Sequence, residues 1–203
     1  MPRDASATKR KILEAARDAF AEQGLAGSRI EEICARAGVN VRMVYAHFGS
    51  KQGLYDEVIR EVVLEERASQ PPPTHGDPAE ELESSLDRFL LFCERNESYV
   101  SLMLREAVDG YETLNRVFEP TELGVSQFVE LIHRGQATGA FRKDLDPLLV
   151  GASMISLSLH LFRVLRSRGM REGGVSDASE VRRQVRSILL QGVSGAVKAK
   201  ATD

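Results

Sequence analysis

Arg42, Met43, Tyr45 and His47 fall in one short stretch, with Val41 just before it and Lys51 just after. A guanidinium, a thioether, a phenol and an imidazole on the free side of one helix make poor plain surface. They make a good reading surface for duplex DNA. Arg42 suits the edge of a guanine, Met43 or Val41 the methyl of a thymine, and Tyr45 and His47 the phosphates. Ser50 caps a following helix with Lys51 in its first turn, and a helix N-terminus beside a Lys suits a phosphate.

The residues that must position this face read as two short helices and a tight turn. Ser28 is a candidate cap for the first helix, with Glu31 three positions on to complete a capping box. Ile30, Ile33, Ala37 and Cys34 share one face. Gly38 can take the left-handed conformation that ends a helix. Val39 is placed to plug the core, and Asn40 is a good cap for the second helix, Val41 to Phe48. Val44 and Phe48, four apart, point inward. Taken singly, an Arg or a Lys here is ordinary solvated surface and Tyr45 could simply pack. The order of the whole unit carries the reading, since a helix-turn-helix delivers its second helix to a major groove.

The run Gly38-Val39-Asn40-Val41-Arg42-Met43-Val44-Tyr45-Ala46-His47-Phe48-Gly49-Ser50-Lys51 resembles the DNA-binding signature of the TetR family of bacterial regulators. The resemblance extends back through Ile12, Ala16 and Phe20 and on to Leu54 and Tyr55. It implies that Val41, Arg42, Met43, Tyr45 and His47 are recognition-helix contacts, with Asn40 at the same interface. It also implies that Ser28, Arg29 and Lys51 grip the DNA backbone. Two positions depart from the usual pattern: a small residue is commoner at Arg42 and Thr at Met43. Both side chains would touch bases, so no operator sequence carries over with the resemblance.

Composition agrees with contact at one end. The 203 residues carry a net charge of −3, but residues 1–51 hold nine Lys/Arg against six Asp/Glu, and the remainder eighteen against twenty-four. A head of +3 on a body of −6 suits DNA binding through the head, weakly and with salt sensitivity where it is non-specific. Cys34 and Cys93 read as buried, reduced thiols, and the first residues lack an apolar targeting core, so a cytoplasmic location is expected. The uncharged run Pro147–Phe162 has 16 residues, short of the roughly 20 a membrane span needs. It reads as a buried helix, with no membrane association.

The fold class is all-α with about nine helices. A helix-turn-helix DNA-binding domain occupies residues 1–50, and a regulatory and dimerisation domain 51–203, with a connecting helix 51–68 and a loop 69–77. The first helix spans about Ser6 to Gln23, with Ile12, Ala16, Ala19 and Phe20 inward and Gly24 ending it. The connecting helix carries Leu54, Val58, Val62 and Glu65 in line. Asp77-Pro78 opens a fifth helix with Leu82, Leu86, Phe89, Leu90 and Cys93 inward. A sixth covers Glu97 to Val108, with Val100, Met103, Leu104 and Ala107 inward. A seventh covers 111–138, broken near Pro120. The eighth and ninth, 146–168 and 177–197, carry more apolar surface than their own body needs. They are expected to pair with a second copy in a homodimer.

The TetR resemblance further implies a small-molecule effector in the body, an apolar or amphipathic one being the better fit. Phe89, Phe92, Met103, Tyr111, Phe128, His133 and His160 are the candidate pocket residues, although the same side chains would fill an ordinary helical core. No cofactor, metal site or catalytic residue is expected. Cys-x-x-Cys, His-Glu-x-x-His, phosphate-loop and Gly-x-Ser-x-Gly patterns do not occur, and the adjacent pairs Glu31-Glu32 and Glu65-Glu66 diverge on their helices. The reading is therefore a dimeric, ligand-released repressor bound to a palindromic operator. A regulator without an effector, or an all-helical enzyme or lipid carrier with a structural head, stands as the alternative.

Overall fold

The computed structural model describes residues 2–70, 74, 76–119, 122–165 and 178–194. Ten helices lie among the described residues: α1 Pro2–Gly27, α2 Ile30–Ala37, α3 Val41–Phe48, α4 Lys51–Ser69, α5 Pro78–Arg95, α6 Glu97–Val108, α7 Glu112–Val117, α8 Val125–Thr138, α9 Pro147–Leu165 and α10 Ala178–Val193. The expected seventh helix is two, α7 and α8. Phe118 turns extended (φ −128°, ψ 147°) and ends α7 two residues before Pro120. The expected helix ends at 168 and 177, and residues 195–197, lie outside the described residues.

Packing divides the chain into two interleaved units, Met1–Glu65 with Asn96–Glu119, and Glu66–Arg95 with Pro120–Asp203. The boundary falls inside α4, not at residue 50. By packing, α6 and α7 belong with the helix-turn-helix.

In the first unit α1 buries Ile12, Ala16, Ala19 and Phe20, and the Phe20 ring meets Tyr55 edge-on at 5.0 Å. Gly24 (φ 74°) breaks the regular helix where expected. Along α4 the in-line positions are Leu54, Val58, Val62 and Glu66, each four apart, and all are buried; Glu65 is exposed. The expectation of Glu65 was one residue short of the strict spacing. On α6 the inner face is Tyr99, Val100, Leu102, Met103 and Glu106, while Leu104 is half-buried and Ala107 exposed. Val100 and Met103 are inward as expected, but the rest of the expected stripe is corrected: the inner face continues through Tyr99, Leu102 and Glu106 in place of Leu104 and Ala107.

Two charged groups organise this unit. The buried Glu106 carboxylate accepts the N–H groups of Thr113 and Leu114, both at 3.1 Å, capping α7 in place of a local residue. It is also hydrogen-bonded to the Tyr55 phenol, whose ionisation is pushed far above its ordinary range by burial and then by the Glu106 charge. Arg105 donates to the carbonyls of Ala21 (3.3 Å) and Glu22 (2.7 Å), placing a cation at the C-terminal end of α1's regular turns.

In the second unit Asp77 Oδ1 accepts from Ala79 N at 2.9 Å, and Leu82, Leu86, Phe89, Leu90 and Cys93 form the inner stripe of α5, as expected. Burial holds the Cys93 thiol protonated. α5 packs on α8, α9 and α10. Arg182 and Arg186 of α10 face Glu83, Asp87 and Glu94 of α5. α8 closes at Gly139 (φ 82°), and the Phe141 ring lies where a Cβ on Gly135 would be. Asp146 Oδ1 caps α9 through Leu148 N and Leu149 N at 2.8 and 3.0 Å.

α9 is long and apolar enough by composition to cross a membrane (mean hydropathy 1.5 over Pro147–Val164), but it packs on α8, α5 and α10. It buries Met154, Ser158, Leu159 and Phe162 and leaves Leu148, Leu149 and Leu157 exposed. Among the described residues the helix is covered on one side, and its second apolar side, expected to exceed what its own body needs, is left exposed.

Glu81 accepts from Arg134 Nη1 at 2.8 Å, Thr74 Oγ1 at 2.5 Å and Gly76 N at 2.6 Å. The Arg134 guanidinium first, and then the Thr74 hydroxyl, lower its pKa from 4.5 to about 2. The stabilisation is complete above the ordinary carboxylate range and is lost as pH falls toward 2. Glu81→Gln is therefore expected to flatten the loss of stability between about pH 4.5 and 2, measured by urea denaturation at a series of pH values.

Candidate nucleic-acid interface

α2 begins after Arg29, whose backbone is extended and whose side chain makes no capping bond. Ser28 is not the expected cap. It is only 2% exposed, and its hydroxyl donates inward to Gly24 O at 2.7 Å and Ala19 O at 3.1 Å. The Gly24 carbonyl also accepts the Ser28 backbone N–H at 3.2 Å, so backbone and hydroxyl of Ser28 meet at the interruption of α1. Ser28 is an internal strut and cannot reach a phosphate as it stands. Arg29, beside it, is exposed.

The turn follows the sequence closely. Ile30, Ile33 and Cys34 are buried. Gly38 is left-handed (φ 66°, ψ 36°), and Val39 N donates to Cys34 O at 3.0 Å. Asn40 is extended, and its Oδ1 accepts from Arg42 N at 2.9 Å, the capping bond its residue type suggests. With its amide so engaged, Asn40 sets the start of α3.

On α3, Val44 is fully buried and Phe48 half-buried. Arg42, Met43, Tyr45 and Ala46 are exposed, Tyr45 at 51%, and Val41 is half-buried at the edge. His47 is half-buried, tilted against Phe48 with ring centroids 6.0 Å apart. Its Nε2 is enclosed and has no hydrogen-bond partner among the described residues. Only the other edge of the imidazole can face outward.

The junction into α4 holds α3 in place. Gly49 (φ 72°) turns the chain, and Ser50 Oγ accepts from Gly53 N at 2.9 Å. A Cβ on Gly53 would stand 2.2 Å from Phe48 O, so glycine is required there. Lys51 reaches Ala26 O at 3.5 Å.

Electrostatics bear on the same face. Lys9, Arg17 and Arg36 of the head are paired with Glu57 (2.6 Å), Glu65 (2.7 Å) and Glu22 (2.9 Å). Arg29, Arg42 and Lys51 make no ion pair among the described residues. Lys11 of α1 is likewise exposed and without an ion pair among the described residues, and Arg42 is the unpaired cation on the exposed face of α3.

The expected ligand-pocket residues fall in both units. Met103 and Tyr111 belong to the first unit, and the other five to the second. Phe89 and Phe128 pack edge-on at 6.1 Å as buried core, Phe92 is half-buried, and Tyr111, His133 and His160 are exposed. None of the seven lines the cleft of about 810 Å³ that opens in the second unit. That cleft is walled by Glu66, Gln70, Ser85, Gln127 and Arg134 among others. Sequence reasoning followed aromatic side chains and passed over these. The available signal was Glu66, four residues beyond Val62 on the buried line of α4.

Residues 12–58 match the family described as bacterial regulatory proteins, tetR family, and residues 78–188 match the one described as tetracyclin repressor-like, C-terminal domain. The chain is 35% identical to the HTH-type transcriptional repressor SCO4008 of Streptomyces coelicolor over 107 residues, 53% of each chain. It is 27% identical to the HTH-type transcriptional repressor KstR2 of Mycolicibacterium smegmatis over 209 residues, 95% of this chain and 94% of that one. The solved structure of the ketosteroid transcriptional regulator KstR2 of Mycobacterium tuberculosis superposes with a TM-score of 0.71 at 25% identity, covering 92% of this chain and 94% of that one. A mutant of HlyIIR shares the fold with a TM-score of 0.72 at 21% identity, covering 94% and 97%.

Gly53→Ala is expected to cost about 3 kcal/mol of stability, since the obstructing atom is backbone. Ser28→Ala is expected to cost about 1–3 kcal/mol through the loss of one buried hydroxyl donor shared by two carbonyls, while leaving the ratio of specific to non-specific DNA affinity unchanged. Urea denaturation reads the first quantity and competition binding the second.

Proposed function

Because the chain belongs to the TetR family of bacterial regulatory proteins, and is a DNA-binding transcriptional regulator, we propose that it acts in the cytoplasm as a dimeric repressor whose operator is released by a small molecule. The observation that carries this reading is the outer face of α3. Asn40 and Gly53 hold the helix at both ends, Val44 anchors it, and Arg42, Met43 and Tyr45 project from it unburied. Arg42 reads a guanine through paired N–H groups, Met43 and Val41 meet thymine methyls, and Tyr45 and the open edge of His47 meet phosphates. Arg29 and Lys51 hold the DNA backbone from either side. The repressors SCO4008 and KstR2 support repression as the outcome.

The uncovered apolar side chains of α9 and α10 support dimerisation. Leu149 and Leu157 lie eight residues apart on one side of α9, with His160 exposed on the same side, and Ile188 of α10 is 63% exposed. A second copy packed on these residues removes them from water and places two α3 helices on a two-fold axis. Two such helices meet successive major grooves when they stand about 34–36 Å apart. An effector that favours a different separation releases the operator.

Selection of bound duplexes from a random pool is expected to return a two-fold symmetric site. Arg42→Ala should lose about 1–3 kcal/mol of discrimination at one base pair of each half-site, and Lys51→Ala should weaken all sequences alike and lower the salt slope by about one. Light scattering should give a particle of two 22.4 kDa chains, and a monomer bound to unsymmetrical DNA defeats the reading.

A further inference from the structure

The cleft of the second unit lies among the end of α4, the start of α5 and the start of α8. Its inner wall is short of hydrogen-bond donors. Glu66 is 3% exposed, yet its carboxyl receives one bond, from Gln70 Nε2 to Oε1 at 2.7 Å. Its Oε2 faces Gly124, where a methyl group would sit 3.0 Å away. The Oε1 of Gln70 is also enclosed and has no donor among the described residues. Gln70 Oε1 is thus an enclosed acceptor without a donor among the described residues, which is costly, and the Glu66 carboxyl beside it receives a single bond.

The charges around the cleft have the same bias. Burial pushes the Glu66 carboxyl upward, and the donor Gln70 and the charge of Arg67 only partly offset it. The cleft's other cation, Arg134, is already bound to Glu81 at 2.8 Å and to Gly76 O at 2.9 Å. Glu80 and Glu130 add carboxylates to the lining, and Leu123 and Leu131 supply apolar surface.

We propose that this cleft binds an amphipathic ammonium ion, a primary or secondary amine on a compact apolar body, which gives its N–H groups to Glu66 and Gln70. The proposal rests on the effector reading above and names its ligand class. An ammonium beside a buried carboxylate supplies an opposite charge that offsets the hydration lost on burial. The cleft, about 810 Å³, has room for a ligand of this kind.

Calorimetric titration of the full chain with hexylammonium, hexanol and hexanoate tests this. Hexylammonium is expected to bind at one site per chain, and the neutral and anionic analogues at least about tenfold more weakly. Glu66→Gln keeps the shape, removes the charge and is expected to cost about tenfold or more in hexylammonium affinity with the fold retained. Gly124→Ala, whose backbone is already helical (φ −56°, ψ −25°), covers Oε2 with a methyl and is expected to weaken binding as well. Equal binding of hexanoate or hexanol overturns the proposal. So does the absence of hexylammonium binding, or undiminished binding to both variants. Hexylammonium binding that leaves the selected operator duplex in place supports the site and sinks the effector reading instead. Release of that duplex by other compounds, with no amine bound, sinks the site alone.

Discussion

A missing methyl group decides where the reading helix points. Phe48 is the last residue of α3, and its carbonyl oxygen sits where the Cβ of residue 53 would otherwise be. Gly53 lets the first turn of α4 close against that oxygen while Ser50 caps the turn from below. At the other end, Asn40 fixes the first N–H groups of α3. An eight-residue helix is too short to persist by its own hydrogen bonds, so its direction is set by these two ends and by Val44. The outward aim of Arg42 and Tyr45 follows from them.

The local grammar of both units was almost wholly legible. Capping residues, left-handed glycines and four-residue spacing act over a few positions, and each of Gly24, Gly38, Asn40, Ser50 and Asp77 does what its type and place suggest. Ser28 shows the limit of that grammar. Its position before α2 reads as a cap, but its hydroxyl turns back to the carbonyls of Gly24 and of Ala19, four and nine residues earlier. Nothing local to Ser28 announces them.

Long-range partners were the illegible part. Sequence separation hides the contact of α6 with α1, because Arg105 and its acceptors Ala21 and Glu22 are more than eighty positions apart. Aromatic content also misdirected the search for a cavity. Large flat side chains are the best space fillers, so Phe89 and Phe128 close against one another. The open volume instead lies where long polar side chains meet, and the mark of such a place is a carboxyl on an apolar stripe, as Glu66 is on α4.

Glu106 has a consequence for the order in which the first unit is assembled. α7 spans only Glu112–Val117 and is entered through a left-handed Tyr111, so it has neither the length nor a local cap to nucleate. Its first N–H groups are satisfied from α6 instead. The short helix is therefore a template product: it coils only after α6 has docked and carried the carboxylate inward, which makes it a late arrival in folding and an early departure in unfolding.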